Sequence, residues 1–449
     1  MDNQDKHIKQ LFSKHTSNYQ IPPQAFAKYN VKRGLRNADG TGVLTGLTSI
    51  GEVRGYIMDD GEKIPVDGQL FYRGVDLFDI VQGVQKDGRF GFEEVAFLLL
   101  FGMLPTTDML SEFTAYLAQC RTLPDNFAED MIMKAPSSDI MNKLARSVLA
   151  CYSYDPDPDS LDVMNLFRQS CELIARMPVM AAYAYQAKQH YYDKKSLFLH
   201  ASVPEYSIAE NFLHLIRQNN KFTAQEAQIL DLMLMIHAEH GGGNNSAFAC
   251  RVVSSSDTDT YSAIAAAIGS LKGPKHGGAN AKVRAMMQCF KQGVSNWEND
   301  DEIAAFIEKI FKKEAGDGSG LVYGMGHAVY TLSDPRAELL KQKAAELARE
   351  KGREKEYHLY ESIERLTPDI FSHMKNDDKR ISANVDLYAG FVYEMLDIPP
   401  ELYTPLFVIA RITGWCAHRI EEVISGKKII RPAYKSLCDR TNYIDINQR

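Results

Sequence analysis

The chain has 449 residues, 45% hydrophobic and 24% charged, with a net charge of -7 and a pI near 6.0. This is the make-up of an ordinary globular protein with room for two or three domains, and it argues against a general polyanion-binding surface. Seven cysteines, odd in number and without a CxxC pair, argue against a disulfide framework or a zinc ribbon.

The N-terminus carries acid and no apolar core, so neither a secretory signal nor a transit peptide is expected, and a cytoplasmic protein is. Residues 1 to about 80 are polar, and Asp39-Gly40, Asp60-Gly61 and Asp67-Gly68 punctuate short apolar pieces such as Ile50 to Ile57, the pattern of short strands and turns. From Glu93 onward the periodicity is helical. Val95 to Leu104, the strongest apolar run, has about half of the ~20 residues that cross a bilayer and reads as a buried helix. Leu110, Phe113 and Leu117, then Leu144, Val148 and Cys151, mark further helix faces, separated by breakers such as the Asp-Pro repeat from Asp155 to Asp159.

Thr223-Ala224-Gln225-Glu226 is a capping box opening a helix that carries Met233, His237 and His240 until Gly241-Gly242-Gly243 ends it. A histidine in that last turn is favoured in its cationic form by the helix dipole. The H-x-E-H cluster of His237, Glu239 and His240 lacks zincin spacing, and a metal-dependent hydrolase built on it with His276 and His327 is the reading it competes with. The Ala-rich stretch Tyr261 to Leu271 lets neighbouring helices approach closely, and a helix starts near Ala279. His276, just before that start, is either a loop histidine without a role or a neutral donor kept uncharged by the helix N-terminus.

Gly324-Met325-Gly326-His327 leads to Asp334-Pro335-Arg336, where Asp334 is an N-cap, Pro335 suits the first turn and Arg336 joins the free N–H groups in an anion site. That helix is expected to run through the charged stretch ending near Glu356. Asp386 interrupts an apolar run and is either a helix cap or a base. Arg411, in a helix started by Thr404-Pro405, must snorkel, pair with an acid or meet an anionic ligand. Arg431, before Pro432, reads alone as a surface arginine.

Taken together, the motifs His237-Ala238-Glu239-His240-Gly241-Gly242-Gly243-Asn244, Gly273-Pro274-Lys275-His276-Gly277-Gly278-Ala279-Asn280, Gly324 to Val329, Asp334-Pro335-Arg336, Asn384-Val385-Asp386, Arg411 to His418 and Arg431-Pro432 resemble the citrate synthase family in order and spacing from about Gln69 to the C-terminus. The resemblance implies an all-α fold with minor β content near the N-terminus. It further implies a large helical domain (69–280 and 384–449), a smaller closing domain (281–383), an N-terminal extension (1–68) packed on the large domain, and a homodimer.

It also implies an acyltransferase of the tricarboxylic acid cycle that condenses oxaloacetate with acetyl-CoA, a cosubstrate rather than a resident cofactor, without a metal. By resemblance Asp386 is the base, His276 donates to the thioester oxygen and His327 polarises the ketone. His240, Arg336 and Arg411 bind oxaloacetate, with Arg431 reaching it from the partner subunit. The backbone of Leu321, Val322, Tyr323, Gly324, Met325 and Gly326 is expected around the coenzyme. Ala328 and Thr331 stand where many relatives carry basic residues, so Lys275, Lys379 and Arg380 are the expected phosphate anchors. A 2-methylcitrate synthase using propionyl-CoA shares all of these motifs, since one methylene is discriminated by only ~1 to 3 kcal/mol.

Overall fold

The computed structural model describes residues 3–60, 62–327, 329–375 and 380–449, and divides by contact into two compact units, Met1–Leu47 and Thr48–Arg449. The first contains the helix Asn3–Lys14, the short helix Pro23–Lys28 and an antiparallel bridge from Arg36 to Gly42 around a turn at Gly40. None of residues 6–47 is buried. Residues 48–68, expected with the N-terminal extension, are part of the second unit.

That unit opens with β1 (Gly51–Asp59) and β2 (Glu62–Tyr72), antiparallel from Gly51 opposite Tyr72 to Asp59 opposite Glu62, with a two-residue β3 (Val75–Asp76) at the edge of β2. Asp67-Gly68 is not the turn its composition indicates. It lies inside β2, because a Cβ on Gly68 would stand 2.2 Å from Ser333 O; glycine is there for close approach. Gly55, at the irregularity in β1, similarly has Val329 O 2.6 Å from where its Cβ would be. The ribbon thus lies backbone to backbone on the segment between His327 and Arg336.

The rest is helical, as the periodicity requires. The expected buried run is the helix Phe92–Phe101, which stops at Gly102 in the left-handed region, leaving Met103 and Leu104 exposed. The 29-residue helix Val163–Tyr191 packs on Tyr403–Ser425, and Thr260–Lys272 is wedged among Ile140–Cys151, Asn245–Ser254 and Tyr403–Ser425. The helix begun by Asp334 ends at Glu350 rather than near Glu356. Gly352 takes φ 65°, and the chain restarts as Glu354–Lys375. Among the described residues, no helix is long and apolar enough to cross a membrane.

Candidate active site

Side chains from well-separated chain segments are brought together: His240 meets His327 and feels the charges of Arg336 and Arg411, Arg336 acts on Asp386, and Arg411 on His276. The helix Ala224–His237 starts on the Thr223/Glu226 capping box, with both reciprocal bonds present. It ends at His237, so His240 lies past its last turn, contrary to expectation. Burial, reinforced by Arg336, His327 and Arg411, holds the His240 imidazole well below its ordinary pKa. It is therefore neutral: desolvation and three positively polarised neighbours outweigh any dipole effect. Its Nε2 is buried without a partner among the described residues.

His327 follows two glycines in the left-handed region, Gly324 at φ 84° and Gly326 at φ 86°. A Cβ on Gly324 would lie 3.0 Å from Leu387 Cα, so only glycine gives both the turn and the approach. The loop is zipped to the strand-like segment before Asp386: Gly326 N–H donates to Ser382 O (2.7 Å), Asn384 N–H to Gly324 O (2.9 Å) and Asn384 Nδ2 to Gly326 O (2.9 Å). His327 Nδ1 accepts from the Val329 and Tyr330 N–H groups, each at 3.1 Å. An accepting Nδ1 leaves the proton on Nε2, so the ring presents a donor. The ring stacks on Tyr330 (4.7 Å) and meets His240 edge-on (5.4 Å).

Asp334 caps the helix Pro335–Glu350, as its sequence position requires, accepting the Arg336 N–H at 3.0 Å. It also grips the Arg336 guanidinium, Nε to Oδ1 at 3.0 Å and Nη2 to Oδ2 at 2.8 Å, and takes the Val385 N–H at 3.3 Å. Burial alone would raise the Asp334 carboxyl, but Arg336 more than offsets it and holds the pair charged. Arg411, on the Tyr403–Ser425 helix, is 0% exposed. Its Nε donates to His237 O at 2.7 Å and its guanidinium lies over Phe407, while Nη1 and Nη2 have no partner among the described residues. Burial lowers it to about 10 against the pull of Glu239 and Tyr72. Of the three readings its sequence left open, an anionic ligand fits best, because two buried guanidinium NH2 groups without partners cost several kcal/mol between them unless a guest fills them.

Asp386 is the first residue of the helix Asp386–Met395. It is not the cap: its N–H donates to Asn384 Oδ1 (3.0 Å), and its own carboxyl turns toward Asn280 Nδ2 (3.4 Å). Burial raises it to about 6, with Arg336 opposing and Asp334 reinforcing. His276 is lowered to about 4 by burial and by Arg411, so it is neutral, and it is burial and charge rather than a helix N-terminus that keep it so. Its Nε2 lies 3.1 Å from Ser246 Oγ, which also takes the Trp415 indole N–H (3.1 Å) and sits 2.9 Å from Asn244 Oδ1.

Behind Arg411, Glu239 pairs with His418 at 2.9 Å, both side chains 0% exposed, in a cradle where Cβ atoms on Gly51 and Gly414 would come within 2.7 and 2.2 Å of it. His237 Nδ1 is held by Met233 O at 2.7 Å. His237 and Glu239 are thus spent on packing, and no group of three His, Cys, Asp or Glu among the described residues is arranged to hold a metal.

Leu321, Val322 and Met325 line a cavity of about 290 Å³ with Phe311, Phe371 and Ile381, and Lys313 stands at its wall. Lys313 was invisible in sequence, being one lysine among several after a helix end. Tyr323 turns away to hydrogen-bond Asp317 (2.7 Å). Arg380 and Lys275 are exposed, Arg380 next to the cavity-lining Ile381, while Lys379 and Ala328 lie outside the described residues. Thr331 Oγ1 is buried without a partner among the described residues. Arg431 is exposed in the C-terminal segment.

Residues 38–433 match the model of the citrate synthase C-terminal domain. A citrate synthase of Haloferax volcanii is 34% identical over 81% of this chain and 88% of its own. A 2-methylcitrate synthase of Corynebacterium glutamicum is 31% identical over 93% and 98%. Among solved structures, the ternary complex of citrate synthase from Thermoplasma acidophilum with carboxymethyl coenzyme A and oxaloacetate superposes with a TM-score of 0.74, at 26% identity, covering 93% of this chain and 99% of that one.

Proposed function

The chain belongs to the citrate synthase family, and we propose that its reaction is the condensation of oxaloacetate with acetyl-CoA, followed by hydrolysis of the citryl thioester to citrate and CoA. The observation that carries this reading is an enclosed carboxyl poised near 6, Asp386, in the same site as two neutral or donor-presenting histidines and a buried, half-satisfied arginine.

A thioester methyl is a very weak acid, so a base needs help from a donor at the oxygen where charge develops. Asp386 removes the proton. His276, anchored through its Nε2 at Ser246 Oγ, supplies the hydrogen bond to the thioester oxygen. The enol carbon attacks the ketone, whose oxygen is met by the Nε2–H of His327. Arg411, with its two unpaired nitrogens, and Arg336, already oriented by Asp334, take the carboxylates, and neutral His240 offers a hydrogen bond.

The coenzyme occupies the cavity beside Leu321–Gly326, with Lys275, Lys379 and Arg380 toward its phosphates. The large domain, beginning at Thr48 and comprising residues to 280 and 384–449, is closed by residues 281–383, which excludes water until hydrolysis. The protein works as a homodimer in which Arg431 of one subunit completes the oxaloacetate site of the other, which accounts for its exposure in a single chain. Seven unpaired thiols fit a cytoplasmic setting.

The alternative acyl donor is propionyl-CoA, since a 2-methylcitrate synthase is also among the similar proteins. Product analysis by mass after incubation with oxaloacetate and an equimolar mixture of acetyl-CoA and propionyl-CoA decides between them. Citrate in excess supports the first reading, methylcitrate in excess the second, and neither product removes both.

A further inference from the structure

The Asp386 carboxyl has a neighbour that none of the roles above employs. Asn280 is the second residue of the helix Ala279–Gly293, four positions beyond His276, and is 9% exposed. Its Nδ2 makes the one side-chain hydrogen bond to the Asp386 carboxyl among the described residues, at 3.4 Å. The amide fits because position 390 has no side chain: a Cβ on Gly390 would lie 2.6 Å from Asn280 Oδ1. That oxygen is itself buried without a partner. Turning the amide over would bring two acceptor oxygens together, so the donor end faces the carboxylate.

The placement is rigid from both sides. The turn carrying His276 is tied down by Gly277 N–H to Leu271 O (3.0 Å) and by Thr404 Oγ1 to Gly277 O (3.1 Å), and it runs directly into the helix that carries Asn280. The start of the Asp386 helix is fixed by Asn384 and, through Val385, by Asp334. Asn280 spans the gap between these two supports.

We propose that Asn280 is a positioning residue for the catalytic base: by donating to Asp386 Oδ1 it favours the ionised carboxylate, fixes its rotation and leaves Oδ2 for the methyl proton. The donor also locks the distance between the base and His276, whose turn Asn280 shares. The proposal rests on Asp386 being the base. The charged and titratable groups that face Asp386 are Arg336 and Asp334 from the start of the Pro335–Glu350 helix and Tyr393 from its own helix. On the Asn280 helix, Lys282 and Arg284 are committed to Asp317 and Glu394. None of these stands in for the amide.

The test uses the full chain with Asn280→Ala, Asn280→Asp and, separately, Asp386→Asn. Thiol release is followed from about pH 5 to 9, and oxaloacetate binding is read independently from the rise in Tm it causes. Asn280→Ala should lower kcat about tenfold and move the acid limb of the kcat profile up by about one pH unit, while the oxaloacetate-induced Tm rise is kept. The isosteric Asn280→Asp, which preserves shape should the Ala variant pack badly, should move that limb further, because two carboxylates then compete for one proton. A general packing defect would change Tm and amplitude but not the limb. Profiles of both Asn280 variants that superimpose on wild type, with Asp386→Asn inactive, overturn the role of Asn280 alone. An Asp386→Asn enzyme as active as wild type removes the base and this proposal together.

Discussion

Asp334 and Arg336 form a two-point pair inside the protein, with side-chain exposures of 0% and 5%, and the same carboxylate caps the helix that follows and holds the N–H of Val385 beside Asp386. One side chain therefore links Arg336, the helix start and the segment that presents Asp386.

Asp334→Ala leaves Arg336 buried and uncompensated and removes the cap. Breaking a buried pair in this way costs about 3 to 5 kcal/mol, so the variant should lose most of its margin in urea unfolding. Any folded fraction should show an oxaloacetate KM raised at least tenfold. Unchanged unfolding and KM would mean that Arg336 is held by something else.

Asp386 is raised from 3.8 to about 6 by burial, and the proposed role as base requires its ionised form, so kcat should fall about tenfold per pH unit below about 6. The stability effect has the opposite sense to a salt-bridged acid. The folded state holds this proton more tightly than the unfolded chain, so ionisation costs stability above pH 6, and the cost disappears as the pH falls through 6 toward 4. The difference corresponds to about 3 kcal/mol at neutral pH. Asp386→Asn should thus be inactive yet more stable than wild type at pH 8, with the gain vanishing near pH 4; a loss of stability at pH 8 contradicts the burial argument.

Gly324→Ala meets two penalties, a left-handed φ of 84° and a Cβ 3.0 Å from Leu387 Cα. About 1 to 3 kcal/mol of strain is expected. Because Leu387 directly follows Asp386, the proposed base, the displacement should lower kcat more than it raises the oxaloacetate KM. Steady-state kinetics with both parameters unchanged would show that the loop has more room than the structure gives it.

Charge reversal at Lys313 and Arg380, which stand at or beside the cavity-lining segment, should raise the acyl-CoA KM several-fold and weaken its salt dependence, leaving the oxaloacetate KM alone. An unchanged acyl-CoA KM takes these residues out of the coenzyme site.

Much of the site was readable in sequence because local rules place it. Asp334-Pro335 fixes a helix start, Gly324 and Gly326 impose a turn, and Thr223 with Glu226 forms a cap that the structure contains. Where several readings stayed open, tertiary surroundings decided. Asp386 looked like a cap until Asn384 proved to take its N–H. His240 looked cationic until burial beside Arg336 and Arg411 made it neutral. Gly68 looked like a turn residue, but the backbone of Ser333 lies against it from far along the chain. Asn280 and Lys313 gave no local signal at all: each gains its meaning from a neighbour more than a hundred residues away or from a cavity wall.

The most direct test of the account is CoA thiol release on mixing the purified protein with oxaloacetate and acetyl-CoA, run beside Asp386→Ala. The account predicts oxaloacetate-dependent release that ends in citrate, and at least a thousandfold loss of kcat in the variant, in keeping with removal of an essential base. Thiol release that ignores oxaloacetate, or an Asp386→Ala enzyme with near wild-type turnover, would contradict it.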